Sequence, residues 1–85
     1  MARVEIYVKS TCGFCIRALE LLDAKGADYE AYELKWGSPL REEMIQRANG
    51  RTTVPQIFIG DHHVGGSDDL QALEEAGKLD GLLGR

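Results

Sequence analysis
The run Val4-Glu5-Ile6-Tyr7-Val8 alternates apolar with mixed positions and is rich in β-branched side chains, which predicts a first strand. Lys9-Ser10-Thr11-Cys12-Gly13 breaks that period. From Cys15 to Lys25 the residues Ile16, Leu19 and Leu22, with Ala18 and Leu21 beside them, recur at helical spacing. A cationic Lys25 followed by Gly26 marks the end of that helix. Tyr29 to Leu34 predicts a second strand with loosely defined edges. Ser38-Pro39 then opens a helix, serine as cap and proline at the first helical position, with Glu42 and Glu43 at the positive end of its dipole. Its apolar stripe is Leu40, Met44 and Ala48, and Asn49-Gly50 ends it.

The second half changes character. Gln56-Ile57-Phe58-Ile59 and His62-His63-Val64-Gly65 flank a tight Gly60-Asp61 turn and predict an antiparallel hairpin. Ser67-Asp68-Asp69 reads as the opening of a helix with Leu70, Leu73 and Ala76 on its inner face and Gly77 at its close. The tail Leu79–Leu83 has room for one more helical turn. The order is β-α-β-α-β-β-α, an α/β chain in which a parallel βαβ half precedes a ββα half.

Length and charge narrow the class. At 85 residues the chain can bury one modest core and no second, so residues 1–85 read as a single domain. The net charge is −4 with no basic block, which argues against a nucleic-acid partner. Apolar runs span only a few residues, far short of a membrane crossing. The opening Met1-Ala2-Arg3-Val4-Glu5-Ile6 is charged and already strand-like, so no signal peptide and a cytoplasmic setting are expected.

Two cysteines, Cys12 and Cys15, sit where the first strand hands over to the first helix. A C-x-x-C at a helix start places its first sulfur beside unpaired backbone N–H groups, which favour the thiolate, the species that attacks disulfides. Lys9 adds a positive charge three residues upstream. Cys12 is therefore the expected nucleophile. Cys15, one turn later among Ile16, Ala18 and Leu19, is expected to be buried and protonated until it is needed to resolve a mixed disulfide. A purely structural disulfide would close too short a loop to restrain the unfolded chain much. A structural zinc would need about four ligands. The only further candidates, His62 and His63, are strand neighbours pointing to opposite faces, so no metal site is expected, and both histidines read as hairpin surface residues.

Four separated segments resemble the bacterial dithiol glutaredoxins over essentially the whole chain. They are Lys9 with Cys12-Gly13-Phe14-Cys15, Arg51-Thr52-Thr53-Val54-Pro55, Gly65-Gly66, and Ser67-Asp68-Asp69. The resemblance implies a thioredoxin-like fold, with a four-stranded mixed sheet flanked by helices. It also implies glutathione as co-substrate, disulfide-bearing or glutathionylated proteins as partners, and a monomer.

By the same resemblance Pro55 is cis and faces Cys12, and Thr53 and Val54 offer backbone groups to the cysteine of glutathione. The helix start at Gly66, Ser67 and Asp68 receives the γ-glutamyl carboxylate, and Asp68 or Asp69 its ammonium. Lys9 meets the glycine carboxylate, and Phe14 walls one side. Ordinary helix capping by Ser67-Asp68-Asp69 is compatible with that role. Pro-Tyr, the commonest pair between the cysteines of dithiol relatives, is here Gly13-Phe14. Gly-Phe is the pair of monothiol relatives that hold iron–sulfur clusters, which leaves one alternative, a dimer sharing a [2Fe–2S] cluster through Cys12. A thioredoxin-like alternative lacks the tryptophan that normally precedes the cysteine pair, since Trp36 lies far from it.

Overall fold
The computed structural model describes residues 2–84. Met1 and Arg85, the two ends of the expected domain, lie outside the described residues. Strand β1 (Val4–Val8) is followed by α1 (Gly13–Ala24), β2 (Tyr29–Glu33), α2 (Leu40–Arg47), β3 (Gln56–Ile59), β4 (His62–Gly65), α3 (Ser67–Glu75) and α4 (Leu79–Leu82). The sheet order is β2-β1-β3-β4, with β2 parallel to β1 and the other neighbours antiparallel. This is the expected thioredoxin-like mixed sheet, with the possible last turn formed as a short eighth element.

Alternation decides which side of the sheet each helix covers. Val4, Ile6 and Val8 of β1 and Ile57 and Ile59 of β3 point to one face, where they pack with Cys15, Ala18 and Leu22 of α1, Leu70 of α3, and Leu79 and Leu83. Tyr7 and Phe58 point to the other, against Leu34, Met44 and Ala48. Burying a Leu or Ile side chain of this kind contributes about 1.5–3 kcal/mol relative to exposure. The β1–β3 pair thus carries a core on both faces, while the edge strand β2 leaves Glu30, Ala31 and Glu33 exposed.

On the α2 side a polar cluster closes over that core. Arg47 donates to Glu5 Oε1 at 3.0 Å and to the Tyr7 hydroxyl at 2.9 Å, and Tyr7 donates to Glu43 at 2.7 Å. The guanidinium lies 4.2 Å from the centre of the Phe58 ring. Arg47 is the chief reason that the Glu5 carboxyl is held below its ordinary range. At the far end of α1, Lys25 pairs with Glu74 at 2.7 Å and Asp80 at 3.1 Å, so the last-turn cation read from sequence also ties α1 to α3 and α4.

Four local expectations change. Helix α1 begins two residues before Cys15, because Cys12 itself caps it, and that rotation leaves Ile16 half-exposed instead of inside. Ala76 is the C-cap of α3 and faces solvent, since the inner face ends with Leu73. Ser67 lies inside α3 and Gly66 is the cap, because Asp69 reaches back to accept from the Gly66 N–H at 2.8 Å. His63 is half-buried, where surface exposure was expected: its Nε2 meets Gln56 Oε1 at 2.7 Å and its ring stacks on Phe58 at 4.8 Å. At the start of α2, Ser38 does accept from the Leu40 N–H at 3.2 Å as a capping serine should, although the helix proper begins after Pro39.

Candidate active site
Cys12 occupies the cap position of α1 with extended backbone (φ −97°, ψ 116°). Its N–H donates to the Lys9 carbonyl at 3.3 Å and its carbonyl accepts from the Ile16 N–H at 3.1 Å, which fixes the residue at both ends. Cap side chains accept from the N–H two or three residues on. The Sγ of Cys12 does this toward the Cys15 N–H at 3.3 Å, so a sulfur stands where a serine or aspartate oxygen usually does. Burial alone would raise the Cys12 pKa. The Cys15 thiol, the N–H groups of Cys15 and Phe14, and the Lys9 charge together outweigh it, and the thiol ends below its ordinary value. Cys12 is partly exposed and both thiols are free.

Cys15 is 1% exposed, inside the core with Ala18 and Leu22. Burial first, and then the neighbouring Cys12 sulfur, push its pKa up to about 11. The pair is thus divided as the sequence predicts, with one partly exposed sulfur biased toward the thiolate and one buried sulfur held as the thiol.

Across from the pair runs the Thr53–Pro55 turn. The Val54–Pro55 peptide is cis, as the resemblance implies. The Val54 carbonyl oxygen lies 3.8 Å from Cys12 Sγ. Beneath the turn, the fully buried Gln56 side chain donates to the Thr53 carbonyl at 3.0 Å and to its hydroxyl at 3.2 Å, and receives His63 on its other end.

A groove of about 400 Å³ extends from this turn to the start of α3, lined by Phe14, Arg51, Thr53, Val54, Pro55, Gly66, Ser67, Asp68 and Asp69. It gathers every expected binding residue except Lys9. Lys9 instead lines a second groove, with Trp36 and Arg41. The Asp69 carboxylate is engaged twice, by the Gly66 N–H and by Arg51 at 3.4 Å. Asp68, one residue earlier, is exposed and also lines the groove. Gly65 has φ +112°, and a Cβ there would meet Asp69 Oδ2 and lie 2.6 Å from Arg51. The sequence signal for Arg51 was its place beside Thr52-Thr53-Val54-Pro55. Gln56 and His63 gave no signal, because a polar residue at a strand end has no periodicity to violate. Among the described residues, no group of three or more His, Cys, Asp or Glu side chains is placed to hold a metal ion.

A capped, thiolate-biased cysteine with a buried partner one turn later, set at the end of a strand in a thioredoxin-like sheet, defines a thiol–disulfide oxidoreductase. Comparison with known proteins narrows the class. The glutaredoxin family model matches residues 4–64. Glutaredoxin 3 of Escherichia coli strain K12 is 54% identical over 83 residues, covering 98% of this chain and 99% of the relative. The chain belongs to the glutaredoxin family. Its fold superposes with a TM-score of 0.84 on the solution structure of glutaredoxin from Brucella melitensis, at 52% identity over 98% of this chain and 89% of that one. With a buckwheat glutaredoxin–glutathione complex the TM-score is 0.87 at 34% identity, over 98% and 77% of the two chains.

Proposed function
We propose that this glutaredoxin reduces glutathionylated mixed disulfides and protein disulfides at the expense of glutathione, with Cys12 as the attacking sulfur and Cys15 as the resolving one. The observation that carries this reading is the position of Cys12 Sγ, held by the Cys15 N–H and 3.8 Å from the carbonyl of Val54, which lines a groove that reaches the start of α3. In the monothiol route the Cys12 thiolate attacks the glutathione sulfur of a mixed disulfide. The substrate leaves as a thiolate and takes a proton from solvent, and Cys12 becomes S-glutathionylated. A second glutathione thiolate attacks that adduct, forming glutathione disulfide and restoring Cys12. In the dithiol route Cys12 joins one sulfur of a protein disulfide. Cys15 then loses its proton, attacks Cys12 Sγ and expels the substrate thiolate. Two glutathiones reduce the resulting Cys12–Cys15 disulfide.

The groove suits the tripeptide. An extended backbone at Val54 can pair with the cysteine of glutathione as one rung of a sheet. The first-turn N–H groups of α3, a nine-residue helix, face a carboxylate at Ser67 and Asp68. Since the Asp69 carboxylate already serves Gly66 and Arg51, Asp68 is the acid assigned to the ammonium. Phe14 walls the open side. Lys9 supplies a cation for the glycine carboxylate. The buckwheat relative bound to glutathione supports glutathione as the ligand. Reaction with reduced glutathione belongs in a reducing compartment, which places residues 1–85, acting as one domain and one monomer, in the cytoplasm. The alternative of a dimer sharing a [2Fe–2S] cluster would take two of its ligands from the Cys12 thiolates of two copies and two from glutathiones, and no observation on this chain favours it over thiol exchange.

The test is a glutathione-coupled assay on Cys12→Ser and Cys15→Ser. Cys12→Ser is expected to abolish turnover of every substrate. Cys15→Ser is expected to retain turnover of glutathione mixed disulfides and lose that of protein disulfides. Turnover surviving in Cys12→Ser would overturn the assignment.

A further inference from the structure
Trp36 is the only tryptophan of the chain, and it stands fully in solvent, at 104% relative exposure, in the loop between β2 and α2. The other exposed large apolar side chains among the described residues, Phe14 and Ile16, lie in the first turn of α1 beside Cys12. Trp36 borders a groove of about 710 Å³ between the loop that precedes Cys12 and the loop that precedes α2. Three of its walls are cationic, Lys9, Lys35 and Arg41, against one carboxylate, Glu42. Lys35 meets Glu33 only at 3.9 Å and stays 77% exposed. The groove is therefore positive on a chain whose net charge is −4. It is also tied to the chemistry, since Lys9 on its wall accepts the Cys12 N–H through its carbonyl.

We propose that this groove docks the polypeptide of disulfide-bearing substrates and selects acidic segments that carry a large apolar residue near the reacting cysteine. Carboxylates on such a segment meet Lys9, Lys35 and Arg41, and the apolar residue covers Trp36, a side-chain type that dominates binding energy at interfaces. A chain lying along the groove reaches Cys12 past Lys9. Basic segments are repelled, so the groove discriminates as well as attracts. A second copy of this chain is the poorer occupant, because a symmetric pairing would set the two cationic grooves against each other. The inference rests on the thiol exchange proposed above, and its tests separate the two.

The chemistry-free test uses the Trp36 fluorescence of the intact protein. A peptide with serine in place of its cysteine, flanked by Asp, Glu and Leu, is expected to shift the emission in a saturable way that weakens with added salt. The same peptide with Lys for its acids is expected to leave it unchanged. The chemical test compares turnover of disulfide-linked peptides with the same two flanks. Trp36→Ala is expected to lower kcat/KM for the acidic peptide about tenfold, and Lys35→Glu about fivefold. Both variants are expected to turn over a small uncharged glutathione mixed disulfide at the unaltered rate. Equal binding of the acidic and basic peptides, or equal loss on the small disulfide, overturns the docking groove while leaving Cys12 chemistry intact. If Cys12→Ser remains active, the exchange reading fails, and the fluorescence titration still decides the groove.

Discussion

The backbone N–H of Cys15 donates to Cys12 Sγ at 3.3 Å, so the residue proposed to resolve the mixed disulfide also supports the thiolate of its partner. Its side chain adds to that support, because the Cys15 thiol also lowers the Cys12 pKa. Serine at position 15 keeps a hydroxyl donor and alanine keeps none. Ultraviolet titration of the thiolate is therefore expected to place Cys12 in Cys15→Ser below the ordinary cysteine value of about 8.5. In Cys15→Ala the midpoint is expected to move upward. Identical midpoints in the two variants would show that the backbone does all the work. In the unaltered protein the second thiol is expected to titrate above the first, because burial pushes Cys15 up to about 11.

Neighbouring acids at the start of α3 have different surroundings, and mutation separates what each does. Asp69 accepts from the Gly66 N–H, as a capping residue does. Asp69→Ala is expected to cost about 1 kcal/mol of stability, measured by chemical denaturation. Asp68 is exposed on the groove rim. Asp68→Asn is expected to leave stability unchanged and to raise KM for a glutathione mixed disulfide several-fold with kcat preserved. The reverse pattern would exchange the two roles.

Gly65 tests how tightly the end of β4 is packed against α3. A methyl group there meets Asp69 Oδ2 and the Arg51 guanidinium at a φ of +112°. Gly65→Ala is expected to destabilise the fold by about 1–3 kcal/mol. The nearest atom to a Cβ on Gly66 is the Pro55 carbonyl at 3.6 Å, an ordinary contact, so Gly66→Ala is expected to fold normally. Thermal melts of the two variants make the comparison.

Gln56 connects the Thr53 turn to His63 and stands behind the site without touching the sulfur. Gln56→Leu leaves the Thr53 carbonyl and His63 Nε2 without this partner, at a cost of about 1–3 kcal/mol. KM for glutathione mixed disulfides is expected to rise while the Cys12 titration stays where it was. The linked imidazole adds a pH dependence. Burial, followed by the Arg51 charge, lowers the His63 pKa below its unfolded value. The unfolded chain then binds more protons between the two values, so this contribution is whole above about pH 6.5 and declines as pH falls through that range. Denaturation midpoints between about pH 5 and 8 are expected to show that decline, and His63→Gln to flatten it.

Strand alternation in Val4–Val8 and the hairpin turn at Gly60-Asp61 are local signals, and the structure follows them. The site was legible for the same reason, since a C-x-x-C at a strand-to-helix junction states its own geometry. Two kinds of feature were not legible. Ile16 fits a helical stripe by spacing, yet the stripe turns with the helix start, and only the cap at Cys12 sets that start. Gln56 and His63 work through each other, brought near by strand pairing, which no periodicity within one segment records. Lys9 was read as one wall of the glutathione site. Its place in a second groove depends on the loop that precedes α2 lying beside the β1–α1 loop.

Strand β1 lies at the centre of the sheet although it comes first in the chain, with β2 on one side and β3 on the other. During synthesis, therefore, β1, α1 and β2 can assemble as a parallel pair with its crossover helix, and the two cysteines are in place at that stage. The other half of the site waits for Gln56 to align opposite Tyr7 and for α3 to arrive behind it. A nascent chain would then carry its reactive sulfur well before it carries the surface that recognises a substrate.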